Sequence, residues 1–182
     1  MRIRACAGVL LLCLLLVHAG CEQSILRPPP AQTSGDGRDL FGPATMRLHP
    51  IFTQVKNLDG SLTGRPDGIE AVLEFDDRFG DPTKASGAVI FELYAIRKDF
   101  PDERGNRLAE PWTASLTTVD QQQAHWRREI GSYSFLLAFD QIRDDRDYVL
   151  TTTFEPLTGK RLFAQLDIPA RVKPSTRKSN GD

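Results

Sequence analysis

The feature that most constrains the fold of this chain is an alternation of apolar and polar residues with a period of two. Between Ile69 and Asp76, apolar residues stand at every second position, as Ile69, Ala71, Leu73 and Phe75. Because successive side chains of a strand point to opposite faces, this spacing predicts a strand with one buried face. Ala88 to Arg97 is largely apolar on both faces except at Glu92, which indicates a strand in the centre of a sheet.

Five further segments show the same alternation or a short apolar run: Arg47 to Lys56, Trp112 to Leu116, Tyr133 to Phe139, Tyr148 to Phe154 and Leu162 to Ile168. Residues typical of turns, such as Asn57 to Gly60, separate most of these segments. A helix is predicted only for Asp120 to Glu129, with Asp120 as its N-cap. Seven short strands with almost no helix predict an all-β fold, a single β-sandwich formed by residues 46–168.

The number and spacing of these strands resemble those of immunoglobulin-like and fibronectin-type-III-like domains. Tyr148, at the start of the sixth predicted strand, stands where such domains carry a tyrosine corner. Consecutive strands of such a sandwich reverse direction, so the loops alternate between its two ends. The end at which the first strand begins is expected to gather loops 76–87, 120–131 and 155–161. The opposite end is expected to gather loops 57–67, 98–111 and 140–147.

The first twenty residues have the composition of an export signal. Arg2 and Arg4 precede an apolar run that begins at Ala5, and small residues end it at Ala19 and Gly20. This order of a basic start, an apolar run and small residues is typical of a cleaved signal peptide, here residues 1–20. The apolar run is 15 residues long, whereas a membrane-spanning helix needs about 20.

The segment from Val17 to Cys21 resembles the lipobox of bacterial lipoproteins, in which a cysteine receives fatty acyl chains (palmitate) and becomes the first residue of the mature protein. The resemblance implies that Cys21 is lipidated and attaches the protein to the membrane of the cell envelope. Glu22, where some lipoproteins carry Asp, implies the outer membrane. His18 stands where that family usually has leucine. Val17 to Ala19 also resembles an ordinary signal-peptidase site, so a secreted or periplasmic protein is the alternative.

Residues 21–45 and 169–182 are predicted to lie outside the folded domain. The first segment combines Pro28, Pro29 and Pro30 with glycine and serine and contains few apolar residues, which is typical of a flexible tether. The second segment is polar and is predicted to be a disordered tail.

Charge and motifs exclude several functions. A net charge of −1 provides no basic footprint, so no nucleic-acid partner is expected. No metal-ligand spacing and no catalytic motif occurs, which predicts no cofactor, no metal and no enzymatic activity. Two aspartate-rich loops, Asp76 to Asp81 and Asp140 to Asp147, also contain arginines, and we interpret these aspartates as turn residues rather than calcium ligands.

The best candidate for a contact surface is His125, Trp126 and Arg127, in a predicted loop on the side of the tether, with Trp126 expected to be exposed. The sequence thus predicts a lipid-anchored cell-envelope protein with a non-catalytic β-sandwich that binds or scaffolds an envelope protein or polysaccharide. The alternative is an exported carbohydrate-active or hydrolytic enzyme with a site built from scattered residues. A cleft with convergent carboxylates, or one that places His49 or His125 beside a carboxylate, would favour that alternative, and a flat surface would favour binding.

Overall fold

A computed structural model of the protein describes residues 40–60 and 65–170. This part of the chain contains ten strands and one helix: β1 (Thr45–Leu48), β2 (Gln54–Lys56), β3 (Gly68–Asp76), β4 (Gly87–Ile96), β5 (Arg104–Arg107), β6 (Trp112–Ser115), α1 (Val119–His125), β7 (Trp126–Arg127), β8 (Ser132–Ala138), β9 (Tyr148–Pro156) and β10 (Leu162–Ile168). The strands form two antiparallel sheets that pack as a sandwich, so the predicted fold class is confirmed.

The first sheet has the order β1-β3-β8-β7, and β2 pairs with β3 beside β1. The second sheet has the order β10-β9-β4-β5, and β6 pairs with β4 beside β5. As predicted from its two apolar faces, β4 is a central strand, with β9 on one edge and β5 and β6 on the other. The hydroxyl of Tyr148 accepts a hydrogen bond from the backbone N–H of Arg143 at 2.8 Å, as in a tyrosine corner.

The antiparallel pairings divide the described loops between two ends of the sandwich. The proximal end contains the start of β1 and loops 77–86, 116–118, 128–131 and 157–161. The distal end contains residues 57–60 and 65–67 and loops 97–103 and 139–147. This is the predicted division, except that the predicted loop 98–111 contains β5, which pairs with β4.

The prediction that Arg47 to Lys56 form a single strand is wrong. Residues 49–53 loop out of the sheet, and β1 and β2 pair with the same edge of β3 before and after this interruption. The side chain of Thr53 closes the gap: its hydroxyl accepts from the backbone N–H of Val72 at 3.0 Å and donates to the carbonyl of Val72 at 3.3 Å. The Nδ1 atom of His49 accepts the backbone N–H of Ile51 at 3.2 Å. An edge strand tolerates such an interruption because only one side of it is paired.

The predicted helix is shorter than expected and begins earlier. Thr118, rather than Asp120, is the N-cap of α1: its hydroxyl accepts the backbone N–H of Gln121 at 3.3 Å, and the Gln121 side chain accepts the backbone N–H of Thr118 at 3.1 Å. This reciprocal pair is a capping box. The helix ends at His125, and the next two residues pair with β8 as β7, so the predicted loop at Trp126 and Arg127 is an edge strand.

The core lies between the sheets and is aromatic. Phe75 of the first sheet meets Phe154 of the second edge-on, with ring centroids 4.8 Å apart, and Phe91 packs on Phe135 at 5.0 Å. Each fully buried side chain of this size contributes roughly 1.5–3 kcal/mol to stability. Trp112 also links the sheets, because its indole N–H donates to the carbonyl of Ala138 at 3.2 Å.

Candidate functional site

A groove of about 690 Å³ lies at the proximal end, between α1, β7 and the residues that precede β4. Its lining residues come from three separate stretches of the chain: Lys84 and Ser86; Leu116, Thr117, Thr118, Val119, Gln122 and Gln123; and Trp126 and Arg128. Sequence reasoning singled out one of them, Trp126. The others lie in loops and on a short helix, where no periodic pattern marks a residue, and only the fold brings them together.

Gln122 holds the helical wall of the groove in place. Its side-chain amide donates to the carbonyls of Ala85 and Leu116, each at 2.7 Å. Its side-chain oxygen accepts from the hydroxyl of Tyr133, and that hydroxyl accepts the backbone N–H of Ala85 at 3.1 Å. Burial raises the pKa of Tyr133 above its ordinary value, so the phenol stays protonated at neutral pH. Because these groups are already paired, they shape the groove rather than offer hydrogen bonds to a ligand.

Trp126 is half-buried, so the expectation of an exposed indole is wrong. Its ring packs edge-on against Tyr133 with centroids 4.9 Å apart, because β7 pairs Trp126 with Tyr133 across the strands. The ammonium of Lys84 lies 5.2 Å from the centre of the indole, within the range of a cation–π contact. The part of the ring that is not packed belongs to the groove lining.

The other two predicted contact residues do not line the groove. The imidazole of His125 stacks on Phe135 at 4.5 Å, and its Nδ1–H donates to the carbonyl of Ser134 at 3.1 Å. Arg127 is exposed and contributes positive charge near Glu70, on the outer face of the first sheet. The structure therefore separates the predicted triplet, and Trp126 reaches the groove without its two neighbours.

The charged groups that line the groove are both cationic. Lys84 and Arg128 are on the same side as Trp126, and the remaining lining residues include no aspartate or glutamate. Hydroxyl and amide groups of Ser86, Thr117 and Gln123 complete its polar lining. A groove with cations, neutral hydrogen-bonding groups and one indole suits a hydrated anionic ligand.

In the first aspartate-rich loop, Asp77 has the backbone role that is typical of turns, and in the second loop an aspartate pairs with an arginine. One oxygen of Asp77 accepts the N–H groups of Phe79 and Asp81, at 2.8 and 3.1 Å, which is the hydrogen bonding of an Asx turn. At the distal end, Arg143 pairs with both carboxylate oxygens of Asp145, at 2.9 and 2.7 Å. Within residues 40–60 and 65–170, no group of three or more potential ligands is placed to hold a metal ion.

A second, smaller depression of about 230 Å³ lies between the β1–β2 interruption and the end of β10. Asp144 and Arg146 face it together with Ile51 and Ile168. With one charge of each sign and no aromatic side chain among its lining residues, it is less specific for a ligand than the groove.

No family model matches this chain, and no curated protein or solved structure is significantly similar to it. Among the described residues, no helix has the length and apolarity needed to cross a membrane. The predicted signal peptide, Cys21, the tether up to residue 39 and the tail from residue 171 lie outside the described residues.

Proposed function

We propose that this protein is a lipid-anchored component of the bacterial cell envelope, attached through Cys21, whose β-sandwich binds an anionic envelope polysaccharide without catalysis. The observation that carries the proposal is the groove at the proximal end, whose lining contains Lys84, Arg128 and Trp126 and no carboxylate. The described chain begins at the same end of the sandwich, with Leu40 before β1.

A polysaccharide fits the chemistry of the groove better than a compact apolar ligand. Hydroxyl and amide side chains exchange hydrogen bonds with sugar hydroxyls, and the half-buried indole offers an apolar surface to a sugar ring. Two cations that face no carboxylate of the lining attract acidic sugars or phosphate substituents.

The proposal of a non-catalytic role is supported by the contacts of the two described histidines. His49 accepts backbone N–H groups through Nδ1 and stacks on Phe52 at 4.3 Å. His125 donates to a backbone carbonyl. Neither residue lines the groove. The enzyme alternative requires convergent carboxylates, or an imidazole beside a carboxylate, in a cleft. The lining of the groove contains no carboxylate and no histidine, and this favours binding over hydrolysis.

Binding is tested with alginate, a polyuronate, and with dextran as its neutral counterpart. We expect the purified protein to bind alginate and not dextran, with an affinity that falls as salt rises. Arg128→Gln should weaken binding by roughly tenfold, because a charge-assisted hydrogen bond contributes about 1.4 kcal/mol or more. Arg127→Gln is the matched control, since it removes the same charge one residue away, outside the groove. Equal losses in the two variants, or no binding of alginate, would disprove the groove as the site.

The anchor is tested separately by fractionation of cells that produce the wild-type chain or Cys21→Ser. The wild-type protein should enter the membrane fraction and carry labelled fatty acid, and the variant should carry none. Wild-type protein recovered without acyl chains from the periplasm or medium would disprove the anchor and leave the sandwich a secreted module.

A further inference from the structure

We infer that the proximal end of the sandwich is a contact face for an anionic lipid surface, so that the folded domain rests on the membrane to which Cys21 is attached. The inference depends on the proposed anchor and adds to it, because an acyl anchor alone leaves the orientation of the domain open.

The proximal end exposes large apolar side chains from four segments: Phe41 before β1, Phe79 after β3, Ile130 between β7 and β8, and Leu157 after β9. Phe79 and Leu157 are 66% and 70% exposed. At the distal end, the Arg97 guanidinium covers the exposed ring of Phe100 at 4.0 Å, and Ile51, which is 74% exposed, lies beside Asp144 and Arg146 of loop 139–147. Apolar side chains exposed together at one end are typical of an interaction surface.

These four segments form one face because loop 77–86 contacts each of the others. The rings of Phe41 and Phe79 are 6.0 Å apart. Gly131, next to Ile130, lies against a proline of the loop. The backbone N–H of Leu157 donates to a carbonyl of the loop at 3.3 Å.

The charges of the loops differ between the two ends. Loops 77–86, 128–131 and 157–161 contain five cations against three anions, and two of these cations, Lys84 and Arg128, line the groove. Loops 57–67, 97–103 and 139–147 contain five cations against nine anions. An anionic bilayer therefore repels the distal loops more strongly than the proximal ones, and cations interspersed with apolar side chains are typical of interfacial contact.

The position of the anchor favours the same orientation. The described chain begins with Leu40 at the proximal end, and Cys21 precedes it by 19 positions. Fully extended, 19 residues span at most about 65 Å, so the acyl chains hold the proximal end within that distance of the lipid. The ten residues of β4 separate the distal end from it by roughly 33 Å more. A weak contact suffices under these conditions, because the anchor raises the effective concentration of the face at the membrane.

The test uses the acylated full-length protein in vesicles of phosphatidylethanolamine and phosphatidylglycerol, with one environment-sensitive NBD fluorophore on an introduced cysteine. Cys6 and Cys13 lie in the predicted signal peptide and Cys21 would carry the acyl chains, so a new cysteine provides the free thiol of the mature chain. Phe79→Cys and Leu157→Cys report on the proximal face. Phe100→Cys is the matched control at the distal end.

We expect the fluorophores at positions 79 and 157 to shift to shorter wavelength and to be quenched by spin-labelled lipid, and the one at position 100 to show neither effect. The shift should be smaller in vesicles of phosphatidylcholine, which lack the negative charge. If the acylated protein floats with the vesicles while all three fluorophores report water, the contact face is disproved and the anchor stands. If the protein carries no acyl chain, the proposed anchor is disproved and this inference fails with it.

Discussion

The side chain of Glu70, on the outer face of the first sheet, contacts side chains of two neighbouring strands. Its carboxylate accepts a hydrogen bond from the ammonium of Lys56 at 2.7 Å and from the hydroxyl of Ser134 at 2.8 Å. These donors lie on β2 and β8, the two neighbours of β3, so one side chain bridges three strands. Partial burial opposes ionisation and is the largest single effect on the pKa of Glu70, but the two hydrogen bonds and the charge of Lys56 together lower that pKa below its ordinary value.

This lowered pKa predicts a loss of stability in acid. Because the folded pKa of Glu70 lies below the unfolded one, the folded state binds fewer protons, and the contribution is present above the unfolded pKa of about 4.5. It is lost as the pH falls through the folded pKa. Glu70→Gln should lower the free energy of unfolding by about 1 kcal/mol at pH 7. Below pH 4, the difference in Tm between the variant and the wild type should become smaller. Thermal unfolding from pH 2 to pH 7 measures this difference.

Glu110→Gln provides the control for that series, since the Glu110 side chain is 94% exposed. Its Tm profile should follow that of the wild type at every pH. A difference in Tm between wild type and Glu70→Gln that stays constant from pH 2 to pH 7 would mean that the ionisation of Glu70 does not contribute to stability.

At the scale of elements, strands with an alternating apolar pattern were predictable and edge strands without one were not. β3, β8, β9 and β10 were expected from their periodicity because one face of each strand meets the core. β5 contains no apolar residue and pairs only with the edge of β4. It is held by backbone hydrogen bonds, by the ion pair of Arg107 with Glu92 and by Arg104 over the Tyr94 ring, and these contacts leave no apolar pattern in the sequence.

The start of β4 places a strict limit on side-chain size. A Cβ atom at Gly87 would lie 2.9 Å from the ring of Phe154 and would also collide with the carbonyl of Glu155 on β9. We expect Gly87→Ala to destabilise the protein by about 1–3 kcal/mol, because the paired strands must separate locally. Urea denaturation followed by circular dichroism measures this loss. Ser86→Ala, at the exposed neighbouring position, should change stability by less than about 0.5 kcal/mol, and equal effects of the two substitutions would contradict the steric argument.

At the scale of the whole molecule, stability depends on the contacts between the two sheets. Phe154 is fully buried and meets Phe75 of the opposite sheet. Residues this far apart in sequence meet only once both sheets have formed, so such contacts make unfolding cooperative.

Phe154→Ala should therefore destabilise the folded protein by about 3–5 kcal/mol, the usual cost of such a cavity. Thermal unfolding should show one transition at a lower Tm. Phe163→Ala makes the same chemical change at a side chain that is 70% exposed, and it should leave Tm almost unchanged. If Phe154→Ala and Phe163→Ala both lowered Tm strongly, the contact between the sheets would not explain the loss of stability in Phe154→Ala.

The sequence by itself determined that the chain forms a β-sandwich, which segments form its main strands, and at which end each loop lies. These properties depend on the alternation of apolar residues and on the reversal of direction between antiparallel strands, both of which are local. Only the tertiary structure decided that Lys84, Thr117, Trp126 and Arg128 share a groove, that His125 lies outside it, and that loop 77–86 contacts Phe41 and the segments of Ile130 and Leu157. The physical reason is that loop residues are not constrained by a periodic pattern, so their partners are chosen by how the two sheets pack.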